Sequence, residues 1–300
     1  MTDVHAPTAT AARQVTAGPP RHGRAPRPSA TGRVAYGVVG VLGELLITFG
    51  ILLFAFLVWQ LWWTDVEGNR AQAGIVDEIT RQAVPTADPT APAGPAVATR
   101  HTDEPPVMAE PAHATTFATM RVPRWEGEPE RPISQGTDKA GVLDRLGVGH
   151  YDGAAMPGDL GNFAVAAHRT TYAKPFNRVA ELKKGDAVVV RTATGDGGPG
   201  SDTWYVYKVV STQVVAPSQV SVIAPVPGEP GATPTERYMT MTTCHPMFSA
   251  RERFVVHSVL DYWAPVSEGV PEELLAGADG KAGTSDDVTV AELTRTESGT

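Results

Sequence analysis

The stretch Thr203–Val210, TWYVYKVV, decides the fold class because its side chains can be divided into two coherent faces. Successive side chains of an extended strand point to opposite faces of a sheet. One face carries Trp204, Val206 and Lys208, and the other carries Tyr205, Tyr207 and Val209. This alternation, rich in aromatic and β-branched residues, is typical of a half-buried β-strand.

Six further runs share this β-branched or aromatic character and are bounded by Gly, Pro or Asp. They are Phe117–Val122, Asn162–Ala167, Ala187–Thr192, Gln213–Val215, Arg237–Thr243 and Phe254–Leu260. Helical character is brief, near Lys139–Leu146 and Phe176–Leu182. Short strands separated by turn signals predict a mostly β fold, a barrel or a sandwich, with short helices.

An apolar run precedes this β-rich region. Residues Val34–Trp63 read VAYGVVGVLGELLITFGILLFAFLVWQLWW and contain only Glu44 and Gln60 as strongly polar side chains. A bilayer core about 30 Å thick needs roughly 20 apolar residues in a helix, so the run is long enough to span. The tryptophans near its end are typical of a membrane interface. We predict one transmembrane helix over residues 34–63.

The charges that flank the apolar run predict its orientation. Residues 1–33 contain five arginines, whereas Asp65 and Glu67 follow the run. By the positive-inside rule, the basic tail is cytoplasmic and the chain beyond residue 63 is extracellular. A cleaved signal peptide is the alternative, with Ala71–Ala73 as a small-x-small site, but the run is about twice as long as a signal's apolar region. We therefore expect a single-pass protein of the cell membrane.

Composition predicts the remaining domain boundaries. Residues 84–114 hold seven prolines and no Phe, Trp or Tyr, although residues 65–83 have some helical character. A segment so poor in large apolar side chains cannot offset its ordering entropy. We predict an extracellular Ala/Pro-rich linker at 64–114, a folded domain at 115–266 and an acidic, disordered tail at 267–300.

Charge and cysteine content exclude several functions. The formal net charge of −8 argues against a chain that coats nucleic acid, which needs basic surface to neutralise phosphates. The single cysteine, Cys244, excludes an intramolecular disulfide framework and a multi-thiolate zinc site. We expect neither a metal nor a cofactor.

Cys244 is the candidate nucleophile, since it ends the strand RYMTMTT and lies near a barrel rim. A thiol nucleophile needs an imidazole to accept its proton. His168 directly follows the apolar run FAVAA and is the favoured partner, with His150 in a loop as the alternative. His245 is adjacent in sequence, where side chains diverge, and His257 falls inside a predicted strand.

Two arginines are candidates for the group that stabilises a developing oxyanion. Arg251 and Arg253 begin the strand that follows the cysteine loop, and an antiparallel pairing would bring that strand's start beside Cys244. Because they are two residues apart, they share a face. Their positions alone do not choose between them.

Three motifs in this order resemble the sortase family. Thr240–Cys244, TMTTC, is similar to the sortase TLxTC signature with Met in place of Leu, and Arg253 follows nine residues later, before FVV. Gly161–Asp186, GNFAVAAHRTTYAKPFNRVAELKKGD, resembles the segment around the sortase histidine, which falls on His168. The stretch GVGHYDGAAMPGDLGNFAVAAHR is particularly similar to class E, the housekeeping-type sortases of high-GC Gram-positive bacteria.

The resemblance covers about residues 115–266 and implies a sortase-like eight-stranded β-barrel. It implies that Cys244 attacks the Thr–Gly bond of a C-terminal sorting signal, with LAxTG expected from class E and LPxTG as a related form. It further implies that His168 is the general acid and base and that Arg253 holds the oxyanion. Thr243, beside the nucleophile, is a predicted substrate contact.

The partners implied are secreted proteins with C-terminal sorting signals, a lipid-linked peptidoglycan precursor that supplies the acceptor amine, and the membrane, with no nucleic acid. A pilin-polymerising sortase is an alternative, but no Asp-Pro-Trp/Phe-type lid is visible before the barrel. The non-enzymatic alternative is an anchored extracellular β-barrel binding module, in which Cys244 would be inert.

Overall fold

A computed structural model describes residues 30–82, 96–193 and 198–275, and within them eight β-strands close into one barrel. The strands are β1 (Thr116–Arg121), β2 (Arg131–Gln135), β3 (Val148–His150), β4 (Gly161–Ala166), β5 (Ala187–Thr192), β6 (Thr203–Val215), β7 (Arg237–His245) and β8 (Glu252–Pro265). Their order around the barrel is β1-β2-β3-β4-β7-β8-β6-β5. The predicted eight-stranded barrel is confirmed.

Two strands, β2 and β3, were not predicted from the sequence. β2 reads RPISQ, and its polar residues Arg131, Ser134 and Gln135 are buried, so the usual apolar signal is missing. β3 has only three residues, too few for an alternation to emerge. In addition, the runs predicted separately at 203–210 and 213–215 form one continuous strand, β6.

The helices are short except for the first. α1 runs over Ala30–Gln82, and α2 over Glu272–Leu275. A π-helical turn spans Lys139–Leu143, and 3-10 turns span Val179–Glu181, Val220–Ile223 and Val266–Glu268. The two predicted helical stretches near residues 139 and 176 are thus single turns.

Both faces of the first part of β6, residues 203–209, are largely buried, so the prediction of a half-buried strand is wrong there, whereas residues 210–214 are exposed. Tyr205 and Tyr207 point into the barrel core with Phe163 and Met239. Trp204 and Val206 belong to a second cluster, outside the barrel, with Ala98 and Tyr262. The outer face is therefore covered by other parts of the chain, so the ordered unit is larger than the barrel alone.

The covering segments come from regions predicted to be disordered. Within residues 96–113, assigned to the linker, His101 exchanges two backbone hydrogen bonds with Trp263 of β8, and Ala98 donates to Val270 in the segment after the barrel. Residues 267–275, assigned to the tail, contact the barrel as well, since Glu273 accepts from Lys208 and Tyr262. Backbone pairing and ion pairs compensate here for the scarcity of large apolar side chains. Residues 1–29, 83–95, 194–197 and 276–300, which include most of the predicted basic tail and acidic tail, lie outside the described residues.

The chain divides into two compact units, residues 1–56 and 57–300. The described part of the first unit is helical, and the large apolar side chains from Val38 to Phe56 are exposed. Within α1, Gly37–Arg81 is long and apolar enough to cross a membrane, as the predicted transmembrane helix requires. In the second unit, the α1 residues Gln72 and Ile79 are buried.

Candidate active site

The candidate nucleophile lies near the end of β7. Cys244 is half-buried and its thiol is free. β7 pairs antiparallel with β8 in a register that sets Cys244 opposite Arg253 and His245 opposite Glu252. The connection between the two strands is short, so the sequence order alone brings an arginine beside the cysteine.

His168 follows β4, which is the neighbour of β7 on the side away from β8. β4 pairs parallel with β7, with Ala166 opposite Thr242, so that His168, two residues beyond Ala166, comes level with Cys244. Thr243 Oγ1 donates a hydrogen bond of 2.7 Å to Ala167 O and ties the two strand ends together. Parallel neighbours end at the same edge of a sheet. The sequence-predicted thiol and imidazole thus lie at the same rim of the barrel.

The same bond defines the position of Thr243, which was predicted to contact substrate. Thr243 is only 3% exposed, and its hydroxyl donates to Ala167 O within the barrel. A buried hydroxyl that is hydrogen-bonded to a neighbouring strand stabilises the pairing of the two strands. The structure shows this hydroxyl bonded to the barrel, and its contact with substrate stays a prediction.

The two arginines differ in their environment. Arg253 is half-buried, and its Nη1 atom donates to the backbone oxygens of Ala250 and Glu252 at 3.1 and 3.0 Å. Arg251 is exposed. A guanidinium has five N–H donors, so two bonds from one nitrogen leave Arg253 with further donating capacity. Of the two, Arg253 is also the one in register with Cys244.

Asp144 is a site residue that the sequence analysis missed. It caps the π-helical turn Lys139–Leu143, and its Oδ1 lies 2.6 Å from His168 Nε2. The two residues are 24 positions apart, in different segments, and neither a motif nor a spacing links them. Only the folded barrel brings this carboxylate to the imidazole.

Arg169 is the second residue that was missed. It is 7% exposed, and its Nη1 atom donates to Cys244 O at 3.3 Å and to His245 Nδ1 at 2.9 Å. Because Nδ1 accepts this bond, the proton of the neutral His245 ring is on Nε2. Burial lowers the pKa of Arg169, and the electrostatic interaction of its guanidinium with the Cys244 side chain acts in the opposite direction. Cys244 therefore has a second guanidinium neighbour, Arg169, on the side of β4, in addition to Arg253 on the side of β8. The position of Arg169 directly after His168 was the available signal.

The other histidines have structural environments. His150 is fully buried between Gln135 Oε1, 2.7 Å from Nδ1, and Ala155 O, 3.1 Å from Nε2, and burial lowers its pKa. His257 lies between Gln213 and Thr240, and burial lowers its pKa too. Neither reaches the barrel rim at Cys244, so the alternative assignment of the base to His150 has no geometric support.

A cleft of about 490 Å³ opens at the beginning of β4. Tyr151, Leu160, Asn162, Ile223 and Pro234 are among the residues that line it. The Tyr151 hydroxyl lies 2.9 Å from Thr242 Oγ1 on β7, two residues before the cysteine. Tyr151, which lines the cleft, is thus hydrogen-bonded to the strand that carries the candidate nucleophile. Among the described residues, no group of three or more His, Cys, Asp or Glu side chains could hold a metal ion.

Comparison with known proteins identifies the family. A model described as the Sortase domain matches residues 120–261. Sortase SrtE2 of Streptomyces coelicolor is 34% identical over 234 residues, which cover 75% of this chain and 83% of that protein. The chain belongs to the sortase family.

Further similarities refine the position of this sortase within the family. Sortase SrtE1 of Streptomyces coelicolor is 34% identical over 266 residues, and the match covers 85% of this chain and 65% of that protein's length. The solved structure of the SrtA sortase from Actinomyces oris is 41% identical, with a TM-score of 0.54 over 60% of this chain and 98% of that one. The resemblance to class E is confirmed. Sortases are transpeptidases with a cysteine nucleophile.

Proposed function

We propose that this sortase cleaves an LAxTG- or LPxTG-like sorting signal between Thr and Gly and joins the protein to an amine of a cell-wall precursor. The observation that carries the proposal is the register of β4, β7 and β8, in which His168, Cys244 and Arg253 share one rim. A thiol, an imidazole and a guanidinium are the groups that acyl transfer through a thioester needs.

In the first half-reaction, the Cys244 sulfur bonds to the carbonyl carbon of the signal's Thr. The resulting oxyanion is stabilised by the Arg253 guanidinium, a donor held in place before charge develops. The Thr–Gly bond then breaks, and the acyl group stays on sulfur as a thioester. His168 accepts the thiol proton and passes it to the departing Gly amine.

In the second half-reaction, the acceptor amine attacks the thioester carbonyl. His168 takes the amine's proton and returns it to the departing sulfur, which regenerates the thiol. One amide bond replaces another, so the exchange requires no separate energy source.

The substrate peptide is expected to approach along β4 and β7. An extended strand rises about 3.3 Å per residue, so a pentapeptide covers roughly 17 Å, close to the length of a six-residue strand such as β4. The cleft at the beginning of β4 lies within that reach and has apolar lining from Leu160 and Ile223. These features support a site for the signal's first residues.

The apolar part of α1 would act as an uncleaved anchor, with the N-terminus cytoplasmic and the catalytic barrel extracellular. Such a location suits both reactants, because the sorting-signal protein carries its own membrane segment and the acceptor is lipid-linked. Enzyme and substrates would then meet by diffusion in two dimensions. No metal or cofactor takes part in the proposed reaction.

The test uses the full chain in lipid nanodiscs with quenched-fluorescent LAxTG and LPxTG peptides and an amine acceptor. We expect cleavage after Thr, an amide product, and an intact mass raised by the acyl group. Cys244→Ala should remove all three signals. Cleavage by Cys244→Ala, or a wild-type protein that binds the peptides without cleaving them, would contradict the proposal. The second result, together with a Cys244 inert to iodoacetamide, would favour the binding module.

A further inference from the structure

The loop that follows His168 has an unusual backbone. Tyr172, Ala173 and Lys174 have φ angles of 53°, 64° and 41°, all in the left-handed region. This conformation is costly for residues with a Cβ atom, and it normally occurs as isolated residues. Three consecutive left-handed residues without a glycine need support from neighbouring structure, and such strain is concentrated at functional sites.

The support comes from one face of helix α1. A Cβ atom at Gly68 would lie 2.9 Å from Ala173 N and 3.1 Å from Tyr172 C, so only glycine allows this approach. Asp65 Oδ2 pairs with Lys174 Nζ at 2.9 Å, and Gln72 Nε2 donates to Tyr172 O at 3.4 Å. Residues three and four positions apart lie on the same face of a helix. Positions 65, 68 and 72 thus hold all three left-handed residues.

This helical face is itself fixed to the barrel. Gln72 is 1% exposed, and its Oε1 accepts a hydrogen bond of 3.1 Å from Arg131 at the start of β2. Arg131 also donates to Asn69 Oδ1 at 2.8 Å. Desolvation by burial lowers the pKa of Arg131, which is partly offset by Glu128. The face is therefore attached both to a barrel strand and to the loop, which leaves it little freedom to move alone.

The loop transmits the position of α1 to the catalytic histidine. The Tyr172 ring lies against the His168 ring, with centroids 5.2 Å apart and planes inclined by 32°. Phe176 N donates to His168 O at 3.0 Å, which closes the loop on itself, and Ala173 is fully buried. Displacing Ala173 therefore displaces the aromatic wall of the imidazole.

We propose that the α1 segment Asp65–Gln72 is a positioning element of the active site, which holds the Tyr172–Lys174 loop so that Tyr172 fixes the His168 ring. Its residues do not touch substrate and act through the loop. The inference rests on the proposed function for its effect on turnover, but the placement of the imidazole can be measured without any substrate.

Two glycines of α1 provide a matched pair of variants. Gly68→Ala adds a methyl group that meets the loop backbone, whereas Gly74→Ala adds one with nothing within 4 Å. Both changes raise helix propensity equally, so they differ only in the contact with the loop. In the full chain in nanodiscs, we expect Gly68→Ala to lower kcat about tenfold with KM nearly unchanged, since misplaced catalytic groups slow chemistry without removing binding contacts. Gly74→Ala should stay within about twofold of wild type.

A spectroscopic measurement accompanies the kinetics. The NMR signals of the His168 ring, assigned by their loss in His168→Ala, should shift in Gly68→Ala and not in Gly74→Ala. If Gly68→Ala does not fold, Lys174→Gln replaces it, with the exposed Lys184→Gln as its control. Equal kcat values and identical His168 signals in the paired variants would overturn the inference. A selective His168 shift in a protein that cleaves no sorting peptide would support the positioning element and refute the proposed function.

Discussion

Asp144 Oδ1 lies 2.6 Å from the Nε2 atom of His168, and the side chains of Asp144 and His168 are 18% and 17% exposed. When Nε2–H donates a hydrogen bond to this carboxylate, Nδ1 is the ring nitrogen that carries the lone pair. In the proposed function, Nδ1 is the atom that exchanges a proton with Cys244. A nucleophile, a base and a third group that orients the base form a recurring catalytic arrangement.

Removing this carboxylate should slow the chemical step. We expect Asp144→Asn to lower kcat by roughly 10- to 100-fold with little change in KM, because positioned proton transfer contributes about 10²- to 10⁴-fold. Asp138→Asn is the control, since it changes the same π-helical turn at its N-cap, where Asn caps as well as Asp. Wild-type kcat in Asp144→Asn would show that the carboxylate is dispensable.

The arginine pair offers a second matched comparison. Arg253→Ala should lower kcat/KM by about 10²- to 10³-fold, the usual loss for one oxyanion donor. Arg251→Ala should remain within about twofold, because Arg251 is exposed and out of register with Cys244. Peptide cleavage by the two purified variants decides between them, and the reverse order of effects would reassign the oxyanion donor.

Arg169 should affect the cysteine rather than substrate binding. Its bonds to Cys244 O and His245 Nδ1 need the planar guanidinium, which lysine does not reproduce. We expect Arg169→Lys and Arg169→Gln to slow single-turnover thioester formation about tenfold and also to slow alkylation of Cys244 by iodoacetamide. The exposed Arg145→Gln is the control. Unchanged alkylation together with unchanged acylation would limit Arg169 to a packing role.

The buried histidines predict how stability depends on pH. Burial lowers the folded-state pKa values of His150 and His257 below their ordinary 6.5, so the unfolded chain binds more protons near that pH. The stability is fully present above about pH 6.5 and falls as the pH drops below it, by up to ~1.4 kcal/mol per pH unit for each histidine. Urea unfolding at pH 7.5 and 5.5 measures this loss. His257→Gln should show a smaller loss than wild type, and an equal loss would contradict the assignment.

Sequence alone predicted the barrel and the strand ends that carry its chemistry. β6 was recognisable because aromatic and β-branched residues are concentrated at Trp204–Tyr207, and the second, outer cluster of the fold explains why both faces are apolar. Cys244 and His168 could be paired because the sequence places each of them near the end of a predicted strand, where side chains reach a barrel rim. The local sequence pattern was sufficient to predict those residues whose position in the fold is determined by their neighbours in sequence.

The missed features depend on contacts between distant segments. Asp144 and Arg169 have ordinary local surroundings and become site residues only when separate strands close the barrel. The linker residues 96–113 looked disordered because their stability comes from pairing with the end of β8, not from their own apolar content. Similarly, β2 buries Arg131 against α1, a partner about 60 residues earlier in the chain.

The parallel pairing of β4 with β7 also governs when the enzyme can become active. Thr243 and Ala167, which join the two strand ends, are 76 residues apart in sequence. Non-local pairings of this kind form slowly, since the entropy of loop closure opposes them before contacts stabilise them. In a newly made chain, His168 and Cys244 are therefore apart until β7 joins β4. We expect activity after denaturation to return no sooner than this pairing forms, so that the recovery of activity reports on it.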